Sequence, residues 1–151
     1  GSEMCIRARP RLGINDLAQR WLGDLSGGQR QLVFLAQSLV AQPRVLLLDE
    51  PISALDLRHQ LEVMNTVRAL TLERGLITLA VLHDLNAAAR HSDEVVLLHE
   101  GRVLEAGAPA QVLTAAHVRR VFQVDVCLLA QPGDPACIVP LGVSAPDGHG
   151  P

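Results

Sequence analysis

Apolar positions recur at helical spacing in the first third of the chain and then give way to short continuous runs. Leu12, Leu17 and Trp21 form a weak helical pattern that Gly23 breaks. A second helix is predicted at once: Ser26 stands as N-cap with Gln29 three positions on, and Leu32, Leu35, Ala36 and Leu39 form an apolar stripe reaching about Val40. At ~1.5 Å per residue that helix spans roughly 22 Å. Val45 to Leu48 is a continuous apolar run between Pro43-Arg44 and Asp49-Glu50-Pro51, the pattern of a strand buried on both faces at the centre of a parallel sheet. Leu57, Leu61, Met64, Val67 and Leu70 return to helical spacing, ending near Gly75, and Ile77 to Leu82 reads as the next buried strand. Strand, helix, strand implies a right-handed crossover.

Asp84 is placed to cap a helix through Ala87 to Arg90. Val95 to Leu98 and Arg102 to Glu105 read as two strands around a turn at Gly101, followed by short helices over Pro109 to Leu113 and Ala116 to Phe122. Beyond Val126 the chain is rich in Pro and Gly, only Cys137 to Leu141 resembles a strand, and the final ten residues are expected to be mobile. The alternation makes the class α/β, with a mostly parallel sheet. Three parts are expected: residues 1–41, containing a helical lobe over 12–41; a sheet-bearing core over 42–126; and a partly flexible extension over 127–151.

Composition narrows the partners. A length of 151 residues suits one domain or a piece of a larger one. A net charge of -3 gives no basic field for nucleic acid or anionic lipid, so no nucleic-acid partner is expected. Cys5, Cys127 and Cys137 are far apart and lack a C-x-x-C pair, which argues against a disulfide framework or zinc knuckle and for a reducing compartment. No apolar run approaches the ~20 residues of a membrane-spanning helix, so membrane contact has to go through a partner. The beginning carries no secretory signal and reads as cut, with Gly1-Ser2 as the scar of a cleaved tag. A hydrophobic content of 48% suits a piece missing part of its own core, or simply an Ala/Leu/Val-rich chain. All 13 basic residues are arginine, and lysine is absent.

Two places carry chemistry. Leu25-Ser26-Gly27-Gly28-Gln29 opens a helix, where free backbone N–H groups, the positive end of the dipole and glycines that admit a ligand closely together make an anion site. Taken alone it reads first as an ordinary capped helix. Asp49 and Glu50 stand at the C-terminal end of a buried strand, the edge where open α/β sheets bind ligands. An aspartate there suits Mg²⁺, a hard cation that prefers carboxylate oxygen, and the neighbouring glutamate suits the orientation or deprotonation of a water. Taken alone this is equally a strand ending in a solvated acidic turn.

Order and spacing decide between these readings. Leu25-Ser26-Gly27-Gly28-Gln29, a helix, Leu46-Leu47-Leu48-Asp49-Glu50-Pro51, Ser53-Ala54-Leu55-Asp56 and a strand closing in His83 together resemble the ABC ATPase family over residues 12 to about 125. The resemblance implies a partial P-loop NTPase fold whose sheet follows the remnant of a helical subdomain. It makes Ser26, Gly27, Gly28 and Gln29 a signature motif that meets the γ-phosphate of ATP on the opposite subunit. It makes Asp49 the Walker B ligand of Mg²⁺ and Glu50 the catalytic base. Asp56 becomes the D-loop residue that communicates across a dimer, and His83 the switch histidine that senses the γ-phosphate. ATP and Mg²⁺ are the implied cofactors.

The family's phosphate-binding loop, G-x-x-x-x-G-K-[ST], needs a lysine that this chain lacks. The Q-loop glutamine in its usual setting and the adenine-stacking aromatic are missing as well. The chain is therefore expected to be the C-terminal half of such a subunit, with little ATP affinity by itself and hydrolysis only where an intact loop is supplied. His83-Asp84-Leu85-Asn86 with Ala88, Leu55 to Gln60, and Gly101-Arg102-Val103 leading to Gly107-Ala108-Pro109 are similar to importers of iron chelates, haem and cobalamin. That likeness implies a homodimer beneath transmembrane permeases at the cytoplasmic face of the inner membrane, with a substrate-binding protein delivering the cargo. The alternative is a non-catalytic dimerisation or interaction fragment that pairs with a complete ATPase; intact Glu50 and His83 argue against it. A DNA-repair ATPase is disfavoured by the short distance from Leu25 to Pro51, which leaves no room for a long coiled coil.

Overall fold

A computed structural model describes residues 12, 14–53, 55–131 and 134–144. The expectations for Gly1-Ser2, Cys5, Ala54 and residues 145–151 lie outside the described residues. Two compact units divide the chain, Gly1–His83 and Asp84–Pro151.

In the first unit, the weak pattern from Leu12 to Trp21 forms a single 3₁₀ turn, Asn15–Leu17, instead of a helix, and a second 3₁₀ turn, Leu22–Asp24, spans Gly23. Helix α1, Gly27–Ser38, follows from a capping box at Ser26 and tightens into a 3₁₀ turn over Leu39–Ala41. Strands β1, Val45–Asp49, and β2, Ile77–Val81, pair in parallel, Val45 opposite Ile77 and Asp49 opposite Val81. Helix α2, Leu57–Arg74, connects them; Asp56 caps its start, and Gly75 ends it in the left-handed conformation that glycine adopts without penalty. A hydroxyl contact of 2.7 Å between Thr71 and Thr78 ties the last turn of α2 to β2.

Burial departs from expectation in both elements. Val63, Met64, Val67 and Leu70 form the buried stripe of α2, whereas Leu57 and Leu61 remain exposed. Val45–Leu48 is not buried on both faces: Leu46 is 3% exposed but Leu47 is 70% exposed. On the partner strand Ile77, Leu79 and Val81 are also exposed. Among the described residues one face of the parallel pair is therefore exposed, because residues two apart and register partners share a face.

In the second unit, Asp84 accepts from the backbone N–H groups of Asn86 and Ala87 and starts helix α3, Leu85–His91. Strands β3, Val95–His99, and β4, Arg102–Gly107, form the expected antiparallel pair around Gly101. Short helix α4 covers Pro109–Val112, and α5 covers Ala115–Phe122 with Thr114 as cap. The largest departure follows. Val124–Gln131 (β5) and Asp134–Val143 (β6) form a long antiparallel hairpin, where only Cys137 to Leu141 was expected to be strand. Strand β5 runs through residues 126 and 127 without a break, and Pro140 sits where the register shifts by one residue, a bulge that spares a proline the ladder bond it cannot donate. Ile138 from β6 packs with Ala89 and Leu113 at the centre of this unit.

Among the described residues the parallel pairing is confined to β1 and β2, while β3–β4 and β5–β6 are antiparallel pairs. No described helix is long and apolar enough to cross a membrane.

Candidate active site

The start of α1 takes the geometry that its sequence pattern demands. Ser26 has extended backbone, its hydroxyl accepts from the Gln29 amide at 3.3 Å, and the Gln29 side-chain oxygen accepts from the Ser26 amide at 3.1 Å. Ser26 and Gly27 are exposed at the positive end of the helix. Gly28 is different. It is buried, and a Cβ there would lie 3.0 Å from Cδ2 and 3.1 Å from Cγ of His59. The reason for glycine at position 28 is thus a close internal neighbour, not open space for a ligand.

The second part of the site comes from parallel pairing. Because Asp49 lies opposite Val81, the C-terminal ends of β1 and β2 reach the same edge, and the residues that follow them become neighbours. The Glu50 amide donates to the Val81 carbonyl at 3.1 Å, and Glu50 then takes a left-handed backbone, φ 46°. Its carbonyl accepts from both the amide and the hydroxyl of Ser53. In that conformation Glu50 Oε1 stands 2.6 Å from His83 Nε2, a side-chain link between the two strand ends. His83 is largely exposed and Glu50 roughly half exposed, so solvent reaches the pair and screens its charge. The contact is an ion pair only when the imidazole is protonated; otherwise Nε2–H donates to the carboxylate.

Asp49 ends β1 with an exposed residue at this same edge. Among the described residues no group of three or more His, Cys, Asp or Glu side chains is arranged to hold a metal. The donor set at Asp49 fits Mg²⁺ in its usual manner, in which one or two protein carboxylates are joined by waters and phosphate oxygens.

Asp56 caps α2, and two residues of the following turn hold its surroundings. The Asp56 carboxylate accepts from the His59 amide at 3.0 Å and from His59 Nδ1, which lies 2.8 Å from both oxygens. Those two donations, backbone first and side chain second, hold the Asp56 carboxyl below its ordinary value of 3.8. Gln60 Nε2 donates to the carbonyls of Ile52 and Leu55 at 3.2 and 3.0 Å and fastens the loop between β1 and α2. His59 and Gln60 were missed as functional candidates from sequence. A usable signal was there: an N-cap aspartate with a histidine three positions on repeats the spacing of a capping box.

The predicted residues therefore all fall in the first unit. Glu50 and His83 come into contact, Asp49 shares their strand edge, and Asp56 meets Gly28 through His59.

Known proteins resemble this chain in sequence and in fold. Residues 2–53 match the family model described as ABC transporter. The chain is 41% identical over 145 residues to the hemin import ATP-binding protein HmuV of Bordetella avium (strain 197N), covering 91% of this chain and 56% of that protein. It is 37% identical over 146 residues to the ferric enterobactin transport ATP-binding protein FepC of Escherichia coli (strain K12), covering 95% of this chain and 54% of that protein. The chain thus spans about half the length of these relatives. A solved ABC transporter in an inward-facing conformation superposes with a TM-score of 0.82 at 28% identity, over 92% of this chain and 57% of that one. Its α/β architecture is accordingly that of ABC ATPase domains of the P-loop NTPase class, and the chain is a partial ABC ATPase.

Proposed function

We propose that this chain carries the signature, magnesium and water-activating portion of the ATP-hydrolysing subunit of an importer for iron-siderophore, haem or cobalamin. The observation that carries the reading is the 2.6 Å contact of Glu50 with His83 at the carboxyl edge of the β1–β2 pair, beside Asp49.

The residues divide the work of phosphoryl transfer, which is mostly positioning and charge stabilisation. Glu50 accepts the proton of the attacking water, and the His83 ring fixes the carboxylate that does so. In the same reading His83 senses the γ-phosphate. Asp49 would hold Mg²⁺, which would neutralise charge on the phosphate oxygens. Ser26, Gly27, Gly28 and Gln29 present the N-terminus of α1 to the γ-phosphate of ATP held by a second subunit, since first-turn amides and the helix dipole favour an anion. Asp56 relays between the two subunits. Residues 1–41 then belong to the helical subdomain and 42–126 to the ATPase core, with 127–151 extending beyond it.

Assembly follows from that division of labour. The working unit is a homodimer of ATPase subunits, seated on transmembrane permeases at the cytoplasmic face of the membrane and served indirectly by a substrate-binding protein. The cargo class comes from the hemin and ferric enterobactin relatives. No lysine stands anywhere in the chain to reach the β- and γ-phosphates.

Two experiments test this. The purified chain alone is expected to show no magnesium-dependent ATP hydrolysis above background, and robust turnover would refute the dependence on a separate phosphate loop. Where this chain is joined to a lysine-bearing phosphate loop, Glu50→Gln should lower turnover by about 100-fold or more and leave ATP binding nearly intact. Loss of binding instead would make Glu50 a ligand and not a base.

A further inference from the structure

The sequence places the signature helix and the Asp56 loop apart, and one side chain touches both. His59 Nδ1 lies 2.8 Å from each oxygen of Asp56, while the Cγ–Cδ2 edge of the same ring fills the space a side chain at Gly28 would need. The next residue, Gln60, holds the carbonyls of Ile52 and Leu55. Any displacement of the loop relative to α2 breaks these bonds, and any displacement of the ring is felt at the second residue of α1.

We propose that His59 is a positioning residue that couples Asp56 to the start of the signature helix, so that the amides of Gly28 and Gln29 follow the state of the Asp56 carboxylate. Its functional consequence rests on the reading that Ser26 to Gln29 meet a phosphate, but the coupling itself needs no nucleotide.

Two measurements on the chain without ATP test it. The first uses the unaltered chain at pH 8: long-range ¹H–¹⁵N spectra should find His59 with its proton on Nδ1, as donation to Asp56 requires. A ring protonated on Nε2 alone would overturn the proposal. The second is a cycle of variants. Asp56→Ser keeps a helix cap but withdraws the oxygens that hold the ring, so it should shift the Gly28 and Gln29 amide signals. His59→Phe keeps a ring against Gly28 without a donor, and in that background Asp56→Ser should leave both signals where they were. Equal shifts in both backgrounds, or no shift in either, would sink the coupling. Unchanged Leu46 and Leu70 signals, from the buried side of the same unit, check that each variant remains folded. Because ATP is absent throughout, a negative result counts against the coupling alone, while the ATPase reading stands or falls on Glu50→Gln.

Discussion

Gly28 separates two meanings that glycine has in a phosphate-binding motif. Three atoms of His59 lie 3.0–3.2 Å from where a Cβ would sit, and one of them is the His59 Cβ, fixed to the backbone of α2. Rotating the ring away therefore relieves only part of the clash. Alanine ordinarily gains up to about 1 kcal/mol over glycine inside a helix, whereas overpacking costs about 1–3 kcal/mol. We predict that Gly28→Ala lowers stability by about 1 kcal/mol in urea unfolding. In a His59→Ala background, where the ring is gone, the same change should be neutral or stabilising. An equal loss in both backgrounds would mean that something other than His59 demands glycine there. The sequence displayed the glycine and its motif plainly, but the reason lay 31 positions downstream, across a contact between two helices that no local pattern reports.

Local bonds and remote bonds also part company at the level of elements. The caps at Ser26, Asp56, Asp84 and Thr114 connect residues two or three positions apart, and spacing alone exposes them. The β5–β6 hairpin escaped because Pro132, Pro135 and Pro140 give its second half the composition of a loop. Its cohesion comes from pairing across the turn and from α3. Asn86, 52 positions from Ile138, donates to the Ile138 carbonyl at 3.0 Å and accepts from its amide at 2.7 Å, so one side-chain amide does the work of a neighbouring strand residue. Asn86→Ala would leave both backbone groups unpaired at a residue that is 4% exposed. Each unpaired buried group costs about 1–3 kcal/mol, so this variant should lose at least that much stability. The Ile138 amide should then exchange its hydrogen roughly tenfold faster or more, because each ~1.4 kcal/mol changes a local opening equilibrium about tenfold. Unaltered protection at Ile138 would show that water or the hairpin itself replaces the asparagine.

For the molecule as a whole, the uncovered face of the parallel pair is the dominant physical fact. Parallel sheets are ordinarily covered on both faces, yet Val45, Leu47, Ile77, Leu79 and Val81 share one exposed face here. An unbroken apolar strand pattern told the truth about the environment these residues suit, and could not reveal that one face is exposed among the described residues. Fully burying a Leu, Ile or Val side chain stabilises by ~1.5–3 kcal/mol, so five of them on one surface favour contact with another apolar surface. We predict that in purified material a second copy supplies that surface, seen as concentration-dependent association in sedimentation velocity. Leu47→Thr with Leu79→Thr removes the two central leucines, which are register partners, while keeping a β-branched residue in each strand. The double variant should weaken association about tenfold or more. Because both leucines are already more than half exposed, the unfolding free energy of the single chain should change by only about 0.5 kcal/mol at each site. A chain that stays monomeric at all concentrations, or association indifferent to these two substitutions, would show that the apolar face does not drive contact between copies.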